Sequence, residues 1–184
     1  KIIKRPVITT VEVLVKPVTS KNDHYFTGFV HKPYPPIYLE LSRNAGFHSA
    51  SVIRGTEGGI IPSLRQAGKV HFYENINDQD DVFDIKPDEL EISQSSRAVD
   101  IPEDITRKET KDKIESKVDA IDIAKATLKS GLDALSGKDG PMMSCIQLGS
   151  AIILHRISGN SLEQCSKEIL KVIKSGSALD RFKK

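Results

Sequence analysis

A strand, a proline-started helix and a second strand follow one another between residues 25 and 53, and this order constrains the fold more than any other feature. Tyr25-Phe-Thr-Gly-Phe-Val30 reads as a strand, with Gly28 at a closely packed point. Pro35-Pro36 opens a helix, because a missing N–H is harmless in the first turn. Ile37, Leu39, Leu41 and Ala45 continue it, and Gly46 supplies the stop. Phe47 to Ile53 is the next strand. Two strands joined by a helix form a parallel pair with a right-handed crossover. Ligands in such sheets sit outside the carboxyl ends of the strands.

The remaining sequence extends this plan. Val11-Glu-Val-Leu-Val15 is rich in β-branched residues but stops at Pro17, so helix and strand both stay open there. Lys69-Val-His-Phe-Tyr73 and Glu89-Leu-Glu-Ile92 read as shorter, more exposed strands, with Asn75 to Asp84 an acidic turn region between them. Asp78, Asp80, Asp81 and Asp84 lack the central Gly and terminal Glu of an EF-hand loop and read as solvated. Ser93 to Glu115 is polar and charge-mixed, a surface connection. The last third is helical. Val118, Ile121, Ala124, Leu128, Leu132 and Leu135 mark one inner face, and Met142, Cys145, Leu148, Ile152 and Ile153 a second. Ser161-Leu-Glu-Gln164 is a capping-box start for a third helix. The expected class is α/β: part of a mostly parallel central sheet with flanking helices and a helical C-terminal third. Its organisation is a sheet portion over 1–92, a polar connection over 93–116 and helices over 117–184.

Composition bounds the function classes. The chain of 184 residues has a net charge of +2, so no overall basic footprint points to a polyanion. No apolar run reaches the roughly 18 residues that span a bilayer, and no secretory segment opens the chain, so the expectation is cytoplasmic and without a membrane partner. The start at Lys1, without an initiator Met, reads as an internal piece of a longer protein. Cys145 and Cys165 have no metal-ligand spacing and read as two buried thiols. The tail is locally basic: Lys167, Lys171, Lys174 and Arg181 form either a solvated helix face or a nucleic-acid patch.

The chemistry concentrates in Ser51-Val-Ile-Arg-Gly-Thr-Glu-Gly-Gly-Ile-Ile61, a strand that runs into a glycine-rich turn. Gly55, Gly58 and Gly59 permit close backbone approach, which suits holding a phosphate or a sugar beside Thr56. Arg54 suits an anion, and Glu57 suits a hydroxyl or a hydrated Mg²⁺ ion. A tight turn with a local Arg–Glu pair is the structural alternative. His31 and Lys32 follow the earlier strand end and fall on the same rim, where a neutral His moves protons and a Lys meets phosphate. No triad is completed nearby. His155 reads as a satisfied, partly buried residue, and His24, His48 and His71 share no ligand spacing, so no metal site is assigned.

Taken together, Val7 to Pro17, Phe29-Val-His-Lys-Pro-Tyr34, Ala50 to Gly58, Ser130 to Pro141 and Leu148 to Leu179 resemble the C-terminal half of the anthranilate phosphoribosyltransferase family, glycosyltransferase family 3. The resemblance implies a small helical domain, lying outside this chain, beside a large α/β domain, with a homodimer formed through the helical part. It implies pentosyl transfer from phosphoribosyl diphosphate to an aromatic amine, as in tryptophan biosynthesis, with Mg²⁺ on the diphosphate. The family's glycine-rich diphosphate loop and its Lys-His-Gly-Asn segment lie upstream in the family and are absent from this chain. The family's Asp-Glu metal pair falls on Ile60 and Ile61 here. The Arg-Gly-Thr-Glu-Gly form looks more like a paralogous branch without clear tryptophan-pathway activity, some of whose members bind single-stranded nucleic acid without sequence preference. A transferase and a non-enzymatic nucleic-acid binder therefore both remain open. In the second, Lys167, Lys171, Lys174 and Arg181 would make salt-sensitive phosphate contacts.

Overall fold

The computed structural model describes residues 11–92, 94–103, 105 and 118–184, with the backbone alone at Glu57. Most of the connection expected over 93–116 and residues 7–10 of the leading segment lie outside the described residues. The sheet has four strands in the order β1 (His24–Gly28), β2 (Ser49–Ile53), β3 (Gly68–Tyr73) and β4 (Asp81–Ile85). Helix α1 (Tyr34–Asn44) joins β1 to β2, which pair in parallel with Gly28 opposite Ile53. The sequence βαβ unit is therefore present. The α/β class and the helical last third stand as expected.

The other two pairings, β2 with β3 and β3 with β4, are antiparallel. The connection over 74–80 is too short for a crossover helix, which a parallel partner would need. The parallel character expected of the sheet is thus confined, among the described strands, to β1 and β2. Two segments depart from the sequence reading. Asp81–Ile85 is a strand rather than acidic turn, with Phe83 and Ile85 facing inward. Pro87–Leu90 is a 3-10 turn rather than a strand, closed by Glu91 at φ 60°. The undecided segment near Val11 holds a 3-10 turn over Glu12–Leu14.

Alternation along the strands builds two cores. Phe26, Ile53, Val70, Phe83 and Ile85 meet Cys145, Leu148 and Ile152 of α3 (Pro141–Ser158). Tyr25, Phe29, Ala50, Val52 and Tyr73 meet Leu39 of α1 and Phe47 on the other face. β2 is buried at every position, as a central strand covered by helices on both faces must be. Helix α4 (Leu162–Lys174) begins at the expected capping box, in which Gln164 N donates to Ser161 Oγ at 3.2 Å and Ser161 N to Gln164 Oε1 at 3.1 Å. It packs on α3 through a buried Gln147–Ser166 hydrogen bond of 2.9 Å. The chain ends in α5 (Ser177–Phe182).

Helix α2 (Ala120–Leu135) departs from expectation. Its C-terminal end joins Met143 and Ile173 through buried Ala134, yet Ile121 and Leu128 are 64% and 57% exposed. The apolar stripe is real in sequence but only partly covered among the described residues. Both cysteines are free and buried, as expected, and burial pushes the Cys145 thiol up. Among the described residues no helix is long and apolar enough to cross a membrane.

Arg43, in the last turn of α1, holds the β3–β4 loop. Its Nε donates to Ile76 O at 3.1 Å, and its Nη2 to Asp78 O at 2.8 Å and Asp80 Oδ1 at 2.6 Å. Its guanidinium lies 4.2 Å from the centre of the Tyr73 ring. The acidic loop is thus organised around a side-chain cation. Arg43→Met should lower stability by about 1–3 kcal/mol, because bonds to charged groups are among the stronger ones; urea denaturation would read this, and an unchanged midpoint would contradict it.

Two imidazoles make stability depend on pH. Burial, with the neighbouring His48 and Arg156 charges, holds His24 below its ordinary value against the opposing Asp23. Burial and Lys69 do the same to His71 against the opposing Asp80. In both, the folded state disfavours the proton. Stability should therefore be full above about pH 6.5 and fall as the pH drops below it toward the depressed folded-state values. Urea midpoints across this range should slope, and the slope should shrink in His24→Gln and His71→Gln; a flat wild-type profile would refute the assignment.

Candidate ligand-binding rim

The turn after β2 lies on the carboxyl ends of the parallel pair. Phe29 N donates to Ile53 O at 2.9 Å and Arg54 N to Lys69 O at 3.1 Å, so the sheet ladder continues up to the base of the turn. A 3-10 turn then runs over Thr56–Gly58. It folds back on β1 with no side chain between the two backbones. A Cβ on Gly28 would lie 2.2 Å from the carbonyl oxygens of both Gly58 and Gly59, and one on Gly55 would lie 1.4 Å from Gly59 O. Gly58 takes φ +82° and faces Val30. The glycines are needed first for packing.

Hydrogen bonding inside the turn removes some of its donors. Gly55 N bonds Ile53 O, Thr56 N bonds Ile61 O at 2.9 Å, and Gly59 N bonds Thr56 O at 3.0 Å. The amides of Gly55, Thr56 and Gly59 are committed to the turn itself. Thr56 Oγ1 is buried without a hydrogen-bond partner among the described atoms. The Glu57 side chain lies outside the described set, so its expected pairing with Arg54 is not described either.

Side chains on the rim supply what the amides do not. Arg54 is exposed one residue beyond Ile53, and His31 and Lys32 are exposed just beyond Val30, against which Gly58 packs. The register Gly28–Ile53 places both groups at the same end of the sheet. His31 also packs beside Tyr34, with ring centres 5.9 Å apart, and its carbonyl accepts from Tyr34 N at 3.1 Å. The N-terminus of α1 ends here and its first turn holds no acidic residue. Pro35 and Pro36 lack N–H groups, so this helix end contributes field more than hydrogen bonds. The arrangement is a shallow cationic rim.

The two positions after Gly59 offer no ligand for a metal ion. Mg²⁺ takes hard oxygen ligands. Ile61 instead packs into the core beside Gly149 of α3, where an added Cβ would sit 3.3 Å from Ile61 Cγ1, and Ile60 is 37% exposed. Among the described residues no group of three His, Cys, Asp or Glu side chains is placed to hold a metal ion.

The alternative basic face is partly occupied. Lys167 pairs with Glu163 at 2.7 Å. Lys174 bonds Gly137 O and Asp139 Oδ1, both at 2.8 Å, and so ties α4 to the α2–α3 connection. Lys171 and Arg181 are exposed. Two cavities, of about 630 Å³ along α2 and about 490 Å³ beneath residues 15–24, are lined by no residue of the turn.

One charged residue was missed by the sequence reading. Arg156 is buried on the sheet: Nη1 donates to Glu74 at 2.6 Å and Nε to Ser51 Oγ at 3.3 Å, its guanidinium lies 3.9 Å from the Phe72 ring centre, and Nη2 has no partner among the described residues. The signal was available. Cys145, Leu148 and Ile152 form a stripe whose next helical position is Arg156. Its neighbour His155 is satisfied as expected, with Nδ1 2.6 Å from Asn160 O.

No family model matches the chain, and no curated protein does. Solved structures do. An anthranilate phosphoribosyltransferase variant from Saccharomyces cerevisiae with Mg bound matches at a TM-score of 0.59, and the same organism's enzyme in complex with PRPP and Mg at 0.58. Each is 15% identical and matched over 86% of this chain. The chain covers 40% of each of those chains, in their C-terminal portion. The likeness establishes the fold.

The packing of the turn generates a paired prediction. Gly28→Ala and Gly55→Ala should each lower stability by about 1–3 kcal/mol or more, as overpacking does. Gly131→Ala, at a helical glycine with nothing within 4 Å of an added Cβ, should raise it by about 0.5–1 kcal/mol. Urea denaturation of the three variants would show the contrast; equal effects would contradict the close approach.

Proposed function

We propose that this chain is the C-terminal part of a large α/β domain of the pentosyl-transferase type, and that it binds a phosphorylated ligand at the carboxyl ends of β1 and β2. Phosphoribosyl diphosphate is the ligand that best suits the rim. The described parts of the sheet portion, 11–92, and of the helical portion, 118–184, act as one unit in this reading, because the sheet and α3 share a core.

The observation that carries the proposal is the coincidence of Arg54, His31 and Lys32 at the end of the parallel pair. Open α/β sheets bind ligands there. Guanidinium and ammonium groups are the side chains suited to phosphate oxygens. The fold points the same way, since solved structures of this fold include one in complex with PRPP and Mg. Arg54 is the side chain assigned to the phosphate, Lys32 adds charge, and His31 is placed to hold or move a proton at the edge. The turn positions these groups and performs no chemistry itself. Ligand binding is the activity assigned to this chain.

The rim is preferred to the basic helix because Lys167 and Lys174 are already paired. Calorimetric titration with phosphoribosyl diphosphate should show saturable binding that Arg54→Ala weakens by about tenfold or more, as loss of a charge-assisted bond does. Lys171→Ala should leave it unchanged. Absence of binding, together with salt-sensitive retention of single-stranded DNA that Lys171→Ala and Arg181→Ala abolish, would replace this reading with the nucleic-acid one.

A further inference from the structure

The two positions after Gly59 bear on how such a ligand's charge is met. Ile61 is committed twice: its carbonyl accepts from Thr56 N at 2.9 Å, and its side chain packs into the core beside Gly149. Ile60 stands next to it, partly exposed, with no ligating atom in its side chain. A half-buried side chain that packs against the core and Gly149 is an apolar contact that a hydrated carboxylate would not make. Positions 60 and 61 thus supply no carboxylate pair for a metal.

We infer that a phosphorylated ligand docks at this rim without a divalent ion held at residues 60 and 61, its negative charge being met by Arg54 and Lys32. The inference rests on the rim-binding reading above and adds the manner of charge compensation. A diphosphate group near neutral pH carries several negative charges, and docking it needs counter-charge of some kind. Two exposed cations and the acid-free N-terminus of α1 supply it from one side. Arg54 is anchored for this role, because its own N–H continues the sheet ladder to Lys69 O. Binding of this kind weakens with salt, since the contacts are exposed.

Inorganic pyrophosphate is the probe that tests the inference. Titrated calorimetrically into the protein in EDTA, it should bind, and Mg²⁺ at millimolar concentration should leave the affinity unchanged or lower it, because Mg²⁺ draws charge from the free probe. Arg54→Ala and Lys32→Ala should each weaken binding by about tenfold in EDTA. Both side chains are exposed, so the variants should keep the wild-type urea midpoint. Binding that appears only with Mg²⁺, or tightens more than about tenfold with it, would overturn the inference and leave rim binding standing. Absence of pyrophosphate binding in both buffers would overturn the inference and the rim-binding reading together.

Discussion

The rim depends on a place where two backbones meet with nothing between them. Gly28 of β1 lies so close to Gly58 and Gly59 that an added methyl would sit 2.2 Å from two carbonyl oxygens. Interiors pack at the density of organic crystals, and such a contact has no slack to absorb an extra carbon. It fixes the turn over the end of the parallel pair. From there the turn starts at Arg54, whose N–H is held by Lys69 O, and Gly58 packs against Val30. The glycines thus contribute position, and the cations beside them contribute chemistry.

This separation changes how the turn is read. Glycine-rich turns at strand ends are commonly associated with backbone amides that hold phosphate. Here the amides of Gly55, Thr56 and Gly59 close the turn on itself. An anion arriving at the rim meets side-chain charge, which is exposed and screened by salt. The same turn sends Ile61 down onto α3, linking the rim to the core that carries the C-terminal helices. Arg156, on α3, makes the corresponding polar link to β2 and to Glu74. A change in either residue would be felt at the sheet and not only on the helix.

Much of this was legible in the sequence because local signals agreed. The β1–α1–β2 unit was marked by prolines, a glycine stop and two apolar runs, and the α4 cap by its Ser and Gln. β4 was hidden because Phe83 and Ile85 face in at alternate positions while Asp84 between them faces out and Asp81 stands exposed at the strand's start, so acidic residues masked a period-two pattern. The reverse error came at Glu89 to Ile92, where alternation suggested a strand. Pro87 and the left-handed Glu91 made a 3-10 turn instead. On α2 the helical stripe was read correctly as a pattern, but its covering partner is a tertiary matter. Ile121 and Leu128 remain exposed among the described residues. The rim residues were named by type; what their amides and glycines do required coordinates.

The central claim is that ligand chemistry resides at the end of the parallel pair and not on the basic helices. Amide chemical-shift mapping with phosphoribosyl diphosphate addresses it directly. Shifts confined to residues 30–34 and 53–59, with α4 and α5 silent, are the expected result. Shifts concentrated on α4 and α5, with 53–59 unmoved, would contradict it.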